Sequence, residues 1–332
     1  MDSKQIHDLM DSCNLPGRCD QVSLKETHIS WVILTNQYAF KIKRPVKYSF
    51  LDFSSLEKRK YYCHEELRLN KRLAPRMYLK VLPLSAGMLA NTNYEKENEI
   101  IDYAVQMKRM DNKKEMDIML KSDKVTDKHI SKLARTTAHF HKQVDIIKKT
   151  FDTENFQKMY TDINSVIPYL KEMAGKEWAD IINECIERSD LFLKENEEQL
   201  KNRTKKGFRK DCHGDLNSRN IFLYDNPVIF DCIEFNEEFR QIDVLNEIAF
   251  LCVDLDFFDK KDLGELFYQK YCKYYGVEDK SDTRRLFMYY KSYRANIRAK
   301  VTLISAEKIK AGRESEKIRD ALKYIKLMQS YS

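Results

Sequence analysis

The chain has 332 residues, of which 33% are charged, and only 8 are glycine and 6 proline; this composition favours a helix-rich protein over a glycine-rich β-sandwich. The net charge of +7, from 59 Lys and Arg against 52 Asp and Glu, is modest and spread along the chain, which disfavours nucleic-acid binding. The sequence contains neither an apolar run of the roughly 18 residues that a membrane span needs nor a Cys-x-x-Cys pair, so it predicts a cytoplasmic protein with free thiols and no zinc site.

The first part of the chain is predicted to be a small antiparallel sheet that carries one main helix. A short amphipathic helix is expected at residues 4–12. The main helix is expected from about residue 55 to Leu73, with Ser54 as its N-cap and Glu57 completing a capping box. Alternating apolar residues and turn signals predict five strands, at Gln21–Glu26, Ser30–Leu34, Tyr38–Lys43, Tyr78–Leu84 and Glu99–Met107.

The remainder of the chain is predicted to be mostly helical. The charged stretch Lys108–Lys114 is interpreted as a hinge between an N-terminal lobe (1–107) and a C-terminal lobe (115–332), which together give an α+β, two-lobed fold. One pair of strands is expected around residues 221–231. The expected helical segments are 127–144, 154–173, 176–200, 239–255, 260–275 and 281–330.

The most informative motif begins at His213, continues through Asp215 to Asn220, and is followed by an apolar run that ends at Asp231. Protein kinases use the pattern His-Arg-Asp-x-x-x-x-Asn, in which the aspartate accepts the proton of the acceptor hydroxyl and the asparagine holds Mg²⁺. The spacing therefore predicts Asp215 as the catalytic residue, with Asn220 and Asp231 as metal ligands. His213 is interpreted as a structural hydrogen-bonding residue rather than a base.

A kinase site also needs a strand lysine on the nucleotide phosphates, held by a helix glutamate. Strand alternation places Lys41 and Lys43 on one face, and Lys41 is preferred because Lys43 lies at the end of the strand. Glu66 borders the apolar stripe of the main helix and is the preferred partner, with Glu65 as the alternative. Solvated surface charges remain the alternative interpretation for these side chains.

Two further segments are weaker candidates for nucleotide contacts. The chain has no Gly-x-Gly-x-x-Gly loop, and the turn between the first two strands carries hydroxyls at Thr27 and Ser30 that could meet a phosphate. The hinge is expected to present backbone groups to a base edge, although its methionines could equally be core filler. The hinge candidates are Met107, Lys108, Arg109 and Met110.

These residues resemble the signature of the aminoglycoside phosphotransferase and choline kinase family, His-Gly-Asp-x-x-x-x-Asn followed by a strand that ends in Asp. The segments Tyr38–Pro45, Glu65–Asn70 and Ala138–His141 are similar to the lysine strand, the glutamate helix and an Ala-x-x-His helix end of that family. The resemblance implies a protein-kinase-like fold. A family element Asp-Pro-x-x-Asp-Leu-Ala is matched by Asp243 and by Glu247 in place of its second aspartate, which implies structural support under the site.

The segment 228–236 looks closest to a bacterial branch in which this domain is often fused to a P-loop ATPase domain. The sequence has no P-loop motif, so the resemblance implies at most a separate P-loop ATPase partner.

The resulting hypothesis is a Mg²⁺-dependent kinase that moves the γ-phosphate of ATP, with GTP left open, to a hydroxyl of a small molecule. Transfer of AMP, phosphorylation of a protein, and a nucleotide-binding regulatory domain remain alternatives. An acidic rim would suit a cationic acceptor. The candidate acceptor-pocket residues are Glu234, Asn236, Asp254, Asp256, Arg294 and Arg298.

Overall fold

Short alternating segments at the start of the chain form strands, and the longer segments with helical periodicity form helices. The structure, a computed structural model, describes residues 1–89, 99–308 and 314–332. The elements from the start of the chain to residue 121 are α1 (Ser3–Ser12), β1 (Ser23–Glu26), β2 (Ser30–Leu34), β3 (Tyr38–Lys43), β4 (Lys47–Tyr48), β5 (Leu51–Asp52), α2 (Leu56–Asn70), β6 (Tyr78–Ser85), β7 (Ile100–Lys108) and α3 (Met116–Lys121).

The later part of the chain is dominated by helices, with four short strands between them. Its elements are α4 (Asp127–Gln143), α5 (Thr153–Thr161), α6 (Ile167–Ala174), α7 (Lys176–Lys205), β8 (Arg209–Asp211), β9 (Ile221–Phe222), β10 (Val228–Ile229), α8 (Glu237–Arg240), β11 (Gln241–Asp243), α9 (Val244–Phe257), α10 (Lys261–Tyr275), α11 (Ser281–Glu307) and α12 (Glu314–Tyr331).

These elements form two compact units. The first unit comprises residues 1–118, 220–224 and 228–240, and the second comprises residues 119–219, 225–227 and 241–332. The predicted division at residues 108–114 stays a prediction.

The first unit is built on a five-stranded antiparallel sheet in the order β1-β2-β3-β7-β6. Strands β2 and β3 have the predicted bounds, because both are rich in β-branched and aromatic residues and a tight turn separates them. Phe40 and Ile42 are fully buried on the face that packs against α1, and burial of such a side chain stabilises a fold by about 1.5–3 kcal/mol. Trp31 lies in the same cluster, with the guanidinium of Arg44 4.8 Å from its ring centroid.

Helix α2 packs against β6 and β7 on the other face of the sheet, where Cys63 meets Val105 and Met107. Its N-cap is Ser55, whose hydroxyl accepts a hydrogen bond from the Lys58 N–H, so the prediction of Ser54 was wrong by one residue. Ser54 instead donates its hydroxyl to Asp52, which removes it from the capping position.

The second unit is mostly helical, and α9 lies at its centre with nearly every side chain buried. The single helix predicted at 154–173 is wrong: α5 and α6 are separated by a 3₁₀ turn at Asp162–Val166. Pro168 explains the break, because a proline inside an α-helix lacks the N–H and clashes with the preceding turn. Trp178 lies on α7, with the ammonium of Lys326 5.5 Å from its ring centroid.

Two other helix predictions need correction. The segment predicted as one helix at 239–255 begins in the last two residues of α8, continues as strand β11, which pairs with β8, and is helical again from Val244. Asp243 ends the strand and caps the helix, since its carboxylate accepts the Leu245 N–H. The predicted helix 281–330 is two helices, α11 and α12, and residues 309–313 of that prediction lie outside the described residues.

The predicted α+β class is confirmed: a small antiparallel sheet carries one main helix, and a larger part of the chain is helical. None of the helices in residues 1–89, 99–308 and 314–332 combines the length and apolar character that crossing a bilayer requires.

Candidate active site

Lys41 lies at the centre of β3, and its ammonium contacts two carboxylates of the first unit. Its Nζ is 2.9 Å from Glu66 Oε1 and 2.5 Å from Asp231 Oδ1. The lysine side chain is only 11% exposed, and Asp231 is 41% exposed. Burial alone would lower the pKa of Lys41, but Asp231 and then Glu66 outweigh it and raise that pKa well above its usual value. The lysine is therefore a fixed positive charge beside a partly accessible carboxylate.

Glu66 lies on α2, and its two oxygens have different lysine partners. Oε1 faces Lys41, and Oε2 lies 2.8 Å from Lys43 Nζ. Burial tends to raise the pKa of Glu66, but the two lysines outweigh it and lower the pKa to about 2. Lys43, which the sequence analysis set aside, is 1% exposed and also contacts Glu234. The sequence did contain an indication that Lys43 belongs to this cluster, because strand alternation places it on the same face as Lys41.

The backbone at Asp231 is held in an unusual conformation by its neighbours in the first unit. Asp231 has a φ of 65°, in the left-handed region that few non-glycine residues adopt. Its N–H donates to the Tyr78 hydroxyl at 3.2 Å, and the next N–H, of Cys232, donates to Asn70 Oδ1 at 2.9 Å. A strained residue stays in place only where such contacts determine its backbone, and such residues cluster at functional sites.

Asn220 is brought beside the segment that carries Asp231 by the short strands β9 and β10. These strands pair antiparallel, and the Phe230 N–H donates to the Asn220 carbonyl at 3.0 Å. An amide oxygen and a carboxylate are ligand types that Mg²⁺ accepts. Within the described part of the chain no cluster of three or more His, Cys, Asp or Glu side chains is arranged to hold a metal ion. A metal here would take Asn220 and Asp231 together with oxygens from a ligand.

The turn and hinge candidates of the first unit have partners within the protein. Thr27 and Ser30 hydrogen-bond to each other through their hydroxyls at 3.1 Å, which closes the turn between β1 and β2. The N–H groups of Lys108 and Arg109 donate to the Met77 and Gln37 carbonyls.

Met107 is buried in the cluster with Val105, and Met110 packs against the same cluster. These positions match the core-filler interpretation more closely than direct contact with a base.

In the second unit the loop that carries Asp215 is anchored by Glu247. Its carboxylate accepts hydrogen bonds from the N–H groups of His213 at 3.0 Å and Gly214 at 3.1 Å. Burial raises the pKa of Glu247 to about 7, opposed by Arg294 and by the two N–H donors. His213 is buried, and its Nδ1 accepts the Asp215 N–H at 3.2 Å.

Asp215 itself is oriented by a residue to which the sequence analysis gave no role. Asn217 Nδ2 donates to Asp215 Oδ1 at 2.9 Å, and Asn217 Oδ1 accepts the Arg219 N–H at 3.0 Å. One carboxylate oxygen of Asp215 is thereby fixed by its own loop. The signal available in the sequence was the position of Asn217, two residues after the aspartate.

The predicted acidic rim is not formed by Asp254 and Asp256, because both are buried and each has a cationic partner. Asp254, 1% exposed, accepts hydrogen bonds from the Ser218 N–H at 2.9 Å and the Ser218 hydroxyl at 2.5 Å. Arg298 Nε lies 3.6 Å from its other oxygen. Asp256, 4% exposed, lies 2.6 Å from Lys291 Nζ. Asp254 therefore anchors the loop that follows Asp215 and does not contribute to an accessible acidic surface.

The other acceptor-pocket candidates are distributed between the two units. In the second unit Arg294 donates to the Asn246 carbonyl at 3.2 Å, with its guanidinium 4.8 Å from the ring centroid of Phe250. In the first unit Glu234 contacts Lys43, and Asn236 Oδ1 accepts the Glu238 N–H at the start of α8.

Asp243 pairs with Arg203 through two hydrogen bonds, of 2.6 and 2.8 Å. It thereby fixes the start of α9, the helix that carries Glu247.

Solved structures of kinases resemble this chain along nearly its whole length. The chain matches a choline kinase from Cryptosporidium parvum with a TM-score of 0.58 and 14% identity, over 99% of this chain and 96% of that one. It matches the GDP complex of aminoglycoside 2'-phosphotransferase-IIIa with a TM-score of 0.54 and 15% identity, over 99% of both chains. The chain has the fold of the aminoglycoside phosphotransferases and choline kinases. The resemblance seen in the sequence is confirmed at the level of fold.

The curated relatives are longer than this chain. Uncharacterized proteins of Mycobacterium tuberculosis and Mycobacterium bovis are 29% identical to it over 309 residues, which is 89% of this chain and 59% of theirs. The chain thus spans about 59% of the length of these relatives. No family model matches the sequence.

Proposed function

We propose that the protein is a phosphotransferase that moves the γ-phosphate of ATP or GTP to a hydroxyl of a small molecule, with Mg²⁺ as cofactor. The observation that carries the proposal is the contact of Lys41 with both Glu66 and Asp231. Three residues far apart in the sequence meet within the first unit: Lys41, predicted for the phosphates, Glu66, predicted to hold that lysine, and Asp231, predicted for the metal. The shared fold with known kinases supports the same reaction class.

In this proposal the first unit binds the nucleotide. Lys41 neutralises charge on the phosphates, and Glu66 keeps its ammonium in position. The geometry suits that role because a lysine with two carboxylate partners can exchange one of them for a phosphate while the other still holds it. Asp231 is the exchangeable partner, since its carboxylate is 41% exposed whereas that of Glu66 is fully buried.

Asn220 and Asp231 are the residues that would hold Mg²⁺, which supplies charge neutralisation on the phosphate oxygens. Both offer oxygen donors, and the Phe230–Asn220 backbone hydrogen bond keeps them on adjacent strand ends. If Asp231 holds the metal, its carboxylate would bind the Lys41 ammonium less tightly, which would leave that ammonium to contact the nucleotide phosphates.

In the second unit Asp215 orients the acceptor hydroxyl and receives its proton as the oxygen–phosphorus bond forms. The bond between the γ-phosphorus and its bridging oxygen breaks, and the nucleoside diphosphate leaves. Asn217 holds Asp215 through Oδ1, which orients the carboxylate that is proposed to face the acceptor. Positioning of this kind supplies most of the catalysis in phosphoryl transfer.

The proposal is tested by nucleotide consumption in the presence of Mg²⁺ and a panel of amino alcohols, sugars, nucleosides and aminoglycosides. Both ATP and GTP are used, because aminoglycoside phosphotransferases of this fold were solved as GDP complexes. The blank is Asp215→Ala, which should abolish transfer and leave nucleotide binding nearly intact. A transfer product that is equally abundant with the Asp215→Ala protein would contradict the assignment of the base.

The mass of the product separates the possible reactions. An acceptor heavier by one phosphate supports the proposed reaction, and an acceptor heavier by AMP shows nucleotidyl transfer instead. A protein that neither consumes nucleotide nor is stabilised by it against thermal unfolding would refute the phosphotransferase proposal.

A further inference from the structure

Lys43 forms a second buried ion pair beside the one that the proposed reaction uses. Its ammonium lies 2.8 Å from Glu66 Oε2 and also contacts Glu234 Oε1. The side chains of Lys43, Glu66 and Glu234 are 1%, 0% and 4% exposed. A lysine buried to this degree is retained only when carboxylates pair with it, because an isolated buried charge is strongly destabilising.

Because of Lys43, Glu66 is held through both of its oxygens. In the proposed reaction Lys41 and Asp231 change partners when nucleotide and Mg²⁺ bind, so the contact on Oε1 must adjust. The contact between Oε2 and Lys43 has no such requirement, since Lys43 is closed off from solvent. It keeps the glutamate in one place while the other contact adjusts.

Lys43 also connects Glu66 to the segment that carries Asp231, because Glu234 is only three residues beyond that aspartate. Asn70, on the same helix as Glu66, supplies a parallel connection: its amide donates to the Glu66 carbonyl and its Oδ1 accepts the Cys232 N–H, both at 2.9 Å. Helix α2 is therefore joined to the segment after Asp231 twice. Lys43 connects the side chains of Glu66 and Glu234, and the Asn70 side chain accepts the backbone N–H of Cys232.

Aromatic rings cover the Lys43 bridge. The ammonium of Lys43 lies 4.8 Å from the ring centroid of Phe53. Phe53 in turn contacts Tyr62 at 5.2 Å and Phe235 at 6.5 Å between ring centroids. Such packing keeps water away from the ion pair, which strengthens the interaction between its charges.

We infer that Lys43 and Glu234 are positioning residues, which fix Glu66 relative to Asp231 so that the first unit binds nucleotide together with Mg²⁺. This inference rests on the proposed function and deepens it. Neither residue touches the reacting atoms. Each acts through a neighbour that does: Lys43 through Glu66, and Glu234 through the backbone that leads to Asp231.

The net charge of the buried cluster determines which variant can separate a loss of positioning from a loss of stability. When all are ionised, the two lysines and three carboxylates of this cluster, Lys41, Lys43, Glu66, Asp231 and Glu234, have a net charge of −1. Lys43→Met alone leaves two buried carboxylates with one cation fewer, and it is expected to unfold more easily for that reason. The double variant Lys43→Met with Glu234→Gln removes one charge of each sign and keeps the balance at −1.

The experiment measures nucleotide affinity, kcat and KM as a function of Mg²⁺ concentration, alongside thermal unfolding. The double variant should regain most of the stability that Lys43→Met loses. Its affinity for Mg²⁺–nucleotide should remain about 10- to 100-fold below wild type, with the Mg²⁺ dependence moved to higher concentration, as is usual when a residue that supports a metal ligand is lost. Lys47→Met is the matched control, because this lysine of β4 is 73% exposed; it should leave every parameter unchanged.

A double variant with wild-type affinity and Mg²⁺ dependence would overturn the inference and leave the proposed function intact. If the double variant does not fold, Glu234→Gln decides instead, since it keeps the side-chain shape. It should weaken Mg²⁺–nucleotide binding about tenfold, and unchanged binding would overturn the inference. A wild-type protein that binds no nucleotide at any Mg²⁺ concentration would overturn the proposed function, and this inference with it.

Discussion

Replacement of Glu247 by glutamine should change how the stability of the protein depends on pH. Glu247 is fully buried, and burial raises its pKa from the ordinary value of 4.5 to about 7. Because the folded protein favours the protonated form, this group contributes stability below about pH 4.5 that is lost as the pH rises through 7. The glutamine side chain of the Glu247→Gln variant would keep an oxygen that accepts the His213 and Gly214 N–H groups, and it would not titrate.

The size of the effect follows from the two pKa values. For a group at about 4.5 unfolded and about 7 folded, the unfolding free energy falls by about 2.5 kcal/mol between about pH 5 and pH 8, at about 1.4 kcal/mol per pKa unit. All other titrating groups are common to the two proteins and largely cancel in the difference. The stability of Glu247→Gln relative to wild type should therefore improve by about this amount over that range.

Urea unfolding of both proteins at several pH values measures this difference, provided that their m-values agree. A difference that stays constant with pH would refute the reasoning. It would mean that the carboxylate is ionised throughout, held by the two N–H donors and by Arg294.

Three further predictions concern the two units separately. Asp231→Ala should weaken Mg²⁺-dependent nucleotide binding, measured by titration calorimetry, as well as turnover. Equal affinity of the variant and the wild type would exclude Asp231 as a metal ligand. Lys41→Met should lower nucleotide affinity at every Mg²⁺ concentration, with Lys113→Met as a control at the surface; a loss confined to folding, seen as a lower Tm with normal affinity, would argue against a phosphate contact. Asp254→Ala should destabilise the protein by about 3–5 kcal/mol, because it removes the counterion of Arg298 and the acceptor of the Ser218 N–H. A change in urea midpoint equivalent to less than about 1 kcal/mol would contradict the buried ion pair.

Local sequence patterns correctly predicted elements and contacts that depend only on neighbouring residues. Strands β2 and β3 have the predicted bounds because both are rich in β-branched and aromatic residues and the turn between them is tight. The pairing of Lys41 with Glu66 followed from strand and helix faces, and the structure brings these two side chains together. The assignment of catalytic roles to them stays a prediction.

Sequence patterns were insufficient where a contact between distant segments decides which residues pair. Lys43 was set aside as a strand-end charge, because nothing local shows that Glu234, 191 residues later, would pair with it. Strand β11 was taken for helix because its partner β8 is an isolated three-residue strand. The missed break at Pro168 is different, since the proline rule was available in the sequence and the helical periodicity on both sides was given more weight.

The placement of the tryptophans gives each unit its own optical reporter. The chain contains 2 tryptophans; Trp31 is buried in the first unit, and Trp178 lies half-buried on α7 of the second. In a Trp178→Phe protein the remaining indole fluorescence follows the sheet and its helix, and in a Trp31→Phe protein it follows the helical unit. The fluorescence of these two variants can thus show whether nucleotide stabilises one unit or both against unfolding, without labels and without separating the units.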